Sequence, residues 1–524
     1  MKKRLLPLLC ASALALALTA CGAQQTTQTD IADAVVLTFT DSGITAQDGT
    51  AGYEIDGTAL TITESGTYAV SGSCADGTIQ IKKGTTGVTL ILNGLDLTSG
   101  DSAAITCGKS GEVTILAADG TQNALSDTEQ NNDDNYPDNS DAENAVIKCK
   151  DGSAVTLGGT GALTVTANGK NGIKSGAATE EDGEASLTIR DLTLHIDAPV
   201  NDAINAEQLL NVESGTLTID AADDAIHCDM ILNIGADGSD GPTIDITSCY
   251  EGLEGAELNV LSGNITINAS DDCMNAANSD LTGYAFTLTI SGGTIDAYGS
   301  SGDGFDSNGD LTITGGTVVV WTANTADNEP LDADGSITVT GGTVLAAGGS
   351  SGMGMSLEAA QPCVIYGASS LGGTPGSAQS GSLIASGADV TIEDSGSTVY
   401  SGTARCNASF VLFSSADVTA DGTYTLKAGD SSAEGTAQSG TVSTGMGMGG
   451  GFRGGQKPDG EPPEGFDGQQ PSGEKPELPD GKRPDLADGE RPEPPDGQGK
   501  SKDGRAPADD NASDTNDPDT TQAA

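Results

Sequence analysis

The sequence predicts an all-β protein built as a parallel β-helix, and three observations support this fold class. Short runs of alternating β-branched residues such as "GTLTIDA" and "GNITINA" recur along the chain, and such alternation is typical of strands. A motif of acid, small residue, hydrophobe and polar residue returns about every 20 to 30 residues, as in a solenoid. Gly-Gly and Asn-Gly steps between the runs allow corners with positive φ.

The hydrophobe of this motif predicts the core. If equivalent positions of successive coils stack, these side chains form one buried column, and the small residues two positions later fit a tight inward corner. A leucine-rich repeat is not favoured, because its Leu-x-x-Leu-x-Leu frame is missing. The aligned hydrophobes are Ile105, Ile147, Ile173, Ile204, Ile226, Leu253, Met274, Phe305, Leu331 and Met355.

The first residues read as an export signal. Lys2, Lys3 and Arg4 precede an apolar run that ends in "LTAC", and this resembles a bacterial lipobox. We therefore expect residues 1–20 to be a lipoprotein signal peptide, Cys21 to be lipidated, and residues 21–34 to be a flexible tether. The chain is then anchored by lipid on the extracellular face of the bacterial membrane.

The rest of the chain divides by composition. We expect an N-terminal β cover with the first coils at 35–100, the parallel β-helix at 101–400 and a closing β-cap at 401–445. Residues 446–524 form a Pro-, Asp-, Gly- and Glu-rich tail that is too poor in apolar residues to fold, so it is predicted to be disordered.

The cysteines permit disulfides without requiring them. Of the 10 cysteines, Cys10 lies in the signal peptide and Cys21 is the lipidation site, and no CxxC pair occurs among the others, so zinc and thiol-redox functions are disfavoured. Cysteine is often a small buried residue, and we expect this role for most of them. A Cys107–Cys149 bridge stays open if their coils touch.

The charge limits the partners. Acids outnumber bases 76 to 22, for a formal charge of −54. Such a surface repels nucleic acid and attracts cations, so a polyanionic ligand needs a bridging cation.

The repeated motif predicts two stacked columns of acids beside the hydrophobic column. Two carboxylates about 5 Å apart repel by roughly 3 kcal/mol at an effective dielectric of 20, and a cation relieves this. Dense hard oxygens suit calcium. The competing interpretation is that the Asp and Asn residues of the motif are ordinary corner residues. A separate group of acids, Asp133, Asp134, Asp138 and Asp141, lies in a loop and is more typical of a solvated insertion. The candidate ligands are Asp202, Asn205, Asp223, Asp224, Asp271, Asp272, Asn275, Asp303, Asp306 and Asp332.

Five features together resemble the clostridial carbohydrate-binding β-helix proteins, namely the lipobox, "GTYAVSG…GTIQI", "VTLILNGLDLTS", "DGFDSNGDLTITGGTV" and the Pro-, Asp- and Gly-rich tail. The resemblance covers roughly residues 35–431. It implies a right-handed, single-stranded parallel β-helix with bound calcium, similar in shape to pectate lyases, which binds polygalacturonate and cellulose without established cleavage. The pairs Glu251/Glu254 and Glu329/Asp332 depart from the family's Asp-Gly-Ile-Asp pattern. The positions that match the calcium ligands are Asp223, Asp224, Asp271, Asp272, Asn275, Asp303 and Asp306.

Three functions remain open at this point. The first is a calcium-dependent, non-catalytic binding protein for plant cell-wall polysaccharide, expected to be a monomer, with Trp321 and Tyr298 as exposed aromatics for sugar stacking. The second is a calcium-dependent pectate lyase, for which Lys174 is the one plausible base. The third is a calcium-stiffened surface adhesin.

Overall fold

The structure is a computed structural model, and it describes residues 31–47, 51–133, 143–281, 283–325, 328–349, 356–367 and 382–443. The leader, Cys21, most of the tether, the tail, Met355 and the loop acids Asp134, Asp138 and Asp141 lie outside these ranges. Within them the regular structure is β, and no α-helix occurs. Accordingly, none of the described segments forms a helix with the length and apolarity needed to span a membrane.

The described strands follow one another along the chain in three sets. The first set is β1 (Val35–Thr40), β2 (Gly43–Gln47), β3 (Tyr53–Asp56), β4 (Ala59–Ile62), β5 (Gly66–Cys74), β6 (Thr78–Ile81), β7 (Val88–Ser99), β8 (Ile105–Cys107), β9 (Glu112–Ala117), β10 (Gln122–Asp127), β11 (Ala145–Cys149), β12 (Ala154–Gly158) and β13 (Ala162–Thr166). The second set is β14 (Asn171–Ser175), β15 (Ser186–Ile189), β16 (Leu192–Ala198), β17 (Ile204–Ala206), β18 (Leu209–Val212), β19 (Gly215–Ala221), β20 (Ile226–Ile234), β21 (Thr243–Cys249), β22 (Leu253–Val260), β23 (Asn264–Ala269), β24 (Met274–Ala276), β25 (Thr287–Ile290) and β26 (Thr294–Gly299). The third set is β27 (Phe305–Ser307), β28 (Asp310–Ile313), β29 (Thr317–Thr322), β30 (Ile337–Val339), β31 (Thr343–Gly348), β32 (Ser356–Tyr366), β33 (Asp389–Asp394), β34 (Ser397–Thr403), β35 (Phe410–Ser414), β36 (Thr423–Ala428), β37 (Ser431–Thr436) and β38 (Gln438–Ser443).

Most strands belong to one long sheet in which parallel pairing dominates. Pairing runs to the equivalent strand of the next repeat, so β8 pairs with β11, β11 with β14 and β14 with β17. The same pattern links β9, β12 and β15, and it links β10, β13 and β16. The strands therefore form three columns, which we name the first, second and third column after β8, β9 and β10.

The register of the first column confirms the predicted hydrophobic ladder over the described residues. Ile105 lies opposite Ile147, and Ile147 lies opposite Ile173. The pairing continues through every aligned hydrophobe as far as Phe305, which bridges to Leu331. All of these side chains are 0 % exposed, so the first column contributes a continuous apolar stripe to the core.

The Gly-Gly steps make the corners, as the sequence predicts. The second glycine of three successive pairs has positive φ: 85° at Gly293, 83° at Gly316 and 84° at Gly342. These residues lie before β26, β29 and β31, where the chain enters the third column. An L side chain is strained at such φ values, which explains why glycine recurs there.

Antiparallel strands cover the last repeat. In the long sheet, β31 pairs antiparallel with β35, and β32 pairs antiparallel with β35 and β38. A separate sheet in the order β34-β33-β36-β37 is antiparallel throughout. Its apolar residues form a second core cluster with Trp321 and Leu345, and Tyr298 packs against that cluster.

Two predicted corner cysteines meet. Cys107 and Cys149 are register partners in β8 and β11, and both are 0 % exposed. The structure holds them as free thiols. The neighbouring Cys149 sulfur and burial raise the pKa of the Cys107 thiol well above its usual value, so the pair is chemically quiet in the folded chain.

Candidate functional site

The ends of the first-column strands carry the repeated acids. We call the position two residues before each ladder hydrophobe the inner acidic column. Its aspartates are buried, with Asp303 1 % and Asp202 5 % exposed, while Glu251 and Glu329 are half-buried. The prediction that both acid columns point outward is therefore wrong for these aspartates, because Asp202, Asp272 and Asp303 accept hydrogen bonds from backbone amides of the next repeat. Its members are Asp202, Asp224, Glu251, Asp272, Asp303 and Glu329.

Backbone amides of the following repeat meet this column. Asp224 N donates to Asp202 Oδ1 at 3.2 Å, and Asp303 N donates to Asp272 Oδ1 at 2.6 Å. In the next repeat, Glu329 N donates to Asp303 Oδ1 at 2.8 Å. Each of these carboxylates thus has one oxygen tied to the stack, which fixes its orientation.

The position after each ladder hydrophobe forms a second line, which we call the outer polar column. Its members are half-buried and stack in register, so Asn205 lies opposite His227, His227 opposite Glu254 and Asn275 opposite Asp306. Within a repeat, the two columns touch: Asn205 Nδ2 donates to Asp202 Oδ2 at 2.7 Å. The outer polar column is Asn205, His227, Glu254, Asn275, Asp306 and Asp332.

Carboxylates gather at two places that could hold a cation, and a third such group combines Asp224 and Glu254 with His227. One ligand atom from each of Asp303, Asp306 and Asp332 lies within 4.8 Å of the others. The second group, formed in the same way, contains Asp202, Asp223 and Asp224. Six of the predicted ligands therefore fall into these two clusters. Asp271 and Asp272 join neither, although Asp272 lies one repeat below Asp303.

Burial and mutual repulsion hold protons on the inner acidic column. Burial, followed by the charges of Asp224 and Glu254, raises the pKa of Glu251 to about 10. Burial and the charges of Asp306 and Asp303 raise the pKa of Asp272 to about 8. Buried carboxyls beside other carboxylates are shifted in this direction, and a bound divalent cation would lower these pKa values.

His227 provides a counter-charge in the middle of the stack. Its Nδ1 contacts Asp224 Oδ2 at 3.1 Å and also hydrogen bonds to Glu254, while Nε2 lies 2.8 Å from Asp229 Oδ1. Burial opposes protonation, but these three carboxylates outweigh it and raise the pKa of His227 well above its usual value. The imidazolium thus offsets part of the carboxylate charge at this repeat. Sequence reasoning missed Asp229, whose only signal is its spacing of two from His227.

Asn275 supplies an orphaned oxygen. Its Nδ2 donates to Glu251 Oε2 at 3.1 Å, but Oδ1 is buried and has no hydrogen-bond partner. A buried amide oxygen without a donor costs about 1–3 kcal/mol, and Asn275 stacks directly against Asp306. Carboxylate and amide oxygens are the ligand set that calcium prefers, so the residues present fit this ion.

The predicted sugar-stacking aromatics do not form an exposed surface. Trp321 is 1 % exposed and packs under the small antiparallel sheet with Leu345 and Val364. Tyr298 is half-buried, and the guanidinium of Arg405 lies 5.4 Å from its ring centroid. The expectation that Trp321 faces solvent is wrong, because residues of the C-terminal segment pack against it, and a role of Tyr298 in sugar stacking stays a prediction.

These features define the class of the protein, which is an all-β repeat protein with a long, mainly parallel sheet and clusters of carboxylates along it. A family profile described as "Carbohydrate-binding domain-containing protein" matches residues 56–352 and 239–431, which together exceed half of the chain. The chain belongs to this family.

Two similar proteins come from clostridial sources. A carbohydrate-binding domain-containing protein of Acetivibrio thermocellus is 32 % identical over 166 residues, which are 30 % of this chain and 55 % of that protein. The match thus spans about half the length of that relative. A solved structure of a polysaccharide lyase-like protein from C. thermocellum, a gadolinium derivative, aligns with a TM-score of 0.31 and 22 % identity. It covers 59 % of this chain and 92 % of that one.

Proposed function

We propose that this chain is a calcium-dependent, non-catalytic binding protein for acidic plant polysaccharide, with polygalacturonate as the principal ligand. The observation that supports this most is the Asp303, Asp306 and Asp332 cluster, next to the orphaned oxygen of Asn275. Membership of a carbohydrate-binding family supplies the ligand class.

The fold in this proposal is a right-handed, single-stranded parallel β-helix. Pairing between equivalent strands of successive repeats supports the helical part of it, and the resemblance supplies the hand. In such a fold each repeat advances by about 4.8 Å. The two carboxylate clusters then lie on one line, along which an extended polymer could bind.

Calcium would link the carboxylates of the protein to the carboxylates of the polysaccharide. Asp303, Asp306 and Asp332 would hold one ion, and Asp202, Asp223 and Asp224 would hold another. When bound, the ion supplies a positive centre that accepts oxygens from both the protein and a uronate carboxylate. A chain with a formal charge of −54 would otherwise repel this polymer.

Cellulose stays a secondary ligand in this proposal. The burial of Trp321 removes the aromatic platform expected for it, so cellulose binding is supported by the resemblance alone. A pull-down on microcrystalline cellulose in the presence of EDTA tests it separately from the calcium site.

We also propose that the chain acts as a monomer at the cell surface, anchored through lipid on Cys21. Replacement of Cys21 by Ser should release the protein into the culture medium and abolish incorporation of a labelled fatty acid. A Cys21→Ser protein that stays with the membrane fraction after a salt wash would contradict the anchor.

The central experiment measures polygalacturonate binding with calcium and with EDTA, using the mature chain that carries Cys21→Ser. We expect binding in calcium, loss of binding in EDTA, and recovery after calcium is restored. Equal binding in EDTA would refute the proposal. Ultraviolet absorbance by unsaturated uronate in the same samples would instead identify the lyase alternative.

A further inference from the structure

His227 lies between three carboxylates that come from two neighbouring repeats. It is the register partner of Glu254 in β22, while Asp224 precedes it by three residues and Asp229 follows it by two. Its Nδ1 lies 3.1 Å from Asp224 Oδ2 and also contacts Glu254 Oε2, so one ring nitrogen faces both of these carboxylates. We call Asp224, His227 and Glu254 the histidine cluster.

The geometry of the histidine cluster is compatible with a small metal ion. One ligand atom from each of the three residues lies within 4.8 Å of the other two. Atoms that each lie about 2.1 Å from one zinc ion are at most about 4.2 Å apart, and the 3.1 Å between Nδ1 and Asp224 Oδ2 already satisfies this limit. The side chains are 12 %, 20 % and 16 % exposed, so the cluster is sheltered from solvent and still accessible to an ion.

The other ring nitrogen of His227 provides a second, independent observation. Nε2 lies 2.8 Å from Asp229 Oδ1. A histidine that binds a metal commonly donates its other N–H to a carboxylate, which fixes the tautomer and the orientation of the ring. If Nε2 carries the proton and donates it to Asp229, the lone pair of Nδ1 faces Asp224 and Glu254. Asp229 is therefore placed as a positioning residue, since it acts through the ring.

The ligand types distinguish the histidine cluster from the two carboxylate clusters. Calcium takes oxygen ligands, whereas a site that combines imidazole nitrogen with carboxylates suits zinc and its neighbouring divalent transition metals. Three protein ligands leave one position of a tetrahedral zinc site for water. The charge also favours such an ion, because a proton on the ring supplies one positive charge among three carboxylates and a divalent ion supplies two.

We propose that Asp224, His227 and Glu254 bind a divalent transition metal ion, and that Asp229 orients the His227 ring for this purpose. The ion replaces any proton on Nδ1, and that proton passes to solvent. Because its ligands come from β20, the preceding corner and β22, the ion joins two successive repeats. Asp224 also belongs to the group with Asp202 and Asp223, and the two oxygens of its carboxylate allow it to contact an ion on each side.

The test titrates zinc into the mature chain that carries Cys21→Ser, in a large excess of calcium, and follows binding by calorimetry. Calcium competes for the all-oxygen clusters, so zinc that still binds requires the nitrogen ligand. We expect one zinc ion per wild-type chain and none in His227→Gln. His195→Gln is the matched control and should bind like wild type, because His195 is the other histidine of the chain and is exposed in β16 between Thr164 and Thr218.

Two variants of Asp229 test its positioning role. Asp229→Ala removes the acceptor for Nε2–H and should weaken zinc binding by about tenfold. Asp229→Asn should recover most of this loss, because the amide oxygen still accepts the hydrogen bond. Cobalt in place of zinc should give a visible absorption band that His227→Gln lacks and that added zinc removes.

The outcomes separate this inference from the proposed function. Wild type that binds no zinc in excess calcium, or His227→Gln that binds it as tightly as wild type, would overturn the inference. If His227→Gln does not fold, Asp229→Ala decides, because Asp229 is 44 % exposed and an unchanged zinc affinity in this variant would overturn the inference as well. Polygalacturonate binding is measured in calcium without zinc, so its failure would refute the proposed function and leave the zinc result standing.

Discussion

Replacement of Asp306 by Asn should change the stability in opposite directions with and without calcium. At the 4.8 Å that bounds the Asp303, Asp306 and Asp332 cluster, two full charges repel by about 3.5 kcal/mol at an effective dielectric of 20. Asp306 takes part in two of the three pairs, so full ionisation would cost about 7 kcal/mol through this residue. Protonation limits this cost, and we expect Asp306→Asn to stabilise the metal-free chain by about 1–2 kcal/mol, or roughly 1–3 °C in Tm for a fold of this length.

Calcium should reverse the order of the melting temperatures of wild type and Asp306→Asn. A ligand at 100 times its Kd stabilises the folded state by about 2.7 kcal/mol. If the lost carboxylate weakens Kd by about a hundredfold, the same calcium concentration stabilises the variant by only about 0.4 kcal/mol. Wild type should therefore melt above Asp306→Asn in calcium and below it in EDTA.

Differential scanning calorimetry in EDTA and in calcium measures both effects. Asp245→Asn is the matched control, because Asp245 is exposed in β21 between Thr218 and Thr266 and has no acidic register partner. It should melt like wild type in both conditions. The reasoning fails if wild type shows no calcium shift, or if Asp306→Asn keeps the whole shift.

Three further predictions concern pH, the core and the thiols. Folding raises the pKa of Glu251 to about 10 and of Asp272 to about 8, so the folded chain keeps protons that the unfolded chain releases near pH 4. The free energy of unfolding of the metal-free chain should therefore fall from pH 5 to pH 8 in EDTA, and Asp272→Asn should flatten this pH profile. Trp321→Ala should destabilise the chain by about 3–5 kcal/mol in urea unfolding and should leave polygalacturonate binding unchanged. Weaker binding by the folded variant would contradict this and would indicate that Trp321 stacks on the sugar. Among the described cysteines, Cys406 should react first with a thiol reagent, because the others are buried; rapid labelling of Cys107 would contradict its place in the ladder.

The sequence predicts the core of this fold well, because stacking is local and repetitive. One side chain per repeat decides each position of the ladder, and the pairing from Ile105 to Leu331 follows the alignment of the motif alone. The Gly-Gly corners at Gly293 and Gly316 were predictable for the same reason, since φ is a property of a single residue.

The parts that depend on distant segments were not predictable. A period of two places Trp321 on the face opposite the buried Val318 and Val320, yet residues of the segment after Asp389 pack against it. The inner acidic column is similar: a corner turns Asp303 inward, and no periodicity in the sequence distinguishes that from an outward turn. The bond of His227 to Glu254 joins two repeats, so neither repeat alone reveals it.

The antiparallel strands over the last repeat have a consequence for self-association. Without these strands, the last repeat would expose unpaired backbone N–H and C=O groups. A second molecule could then pair with that edge. Strands β35 and β38 pair antiparallel with the strands at that edge. The backbone groups of these strands are therefore already hydrogen bonded and cannot pair with a strand of a second molecule. A protein truncated before Phe410 should therefore associate through the exposed edge of its last repeat.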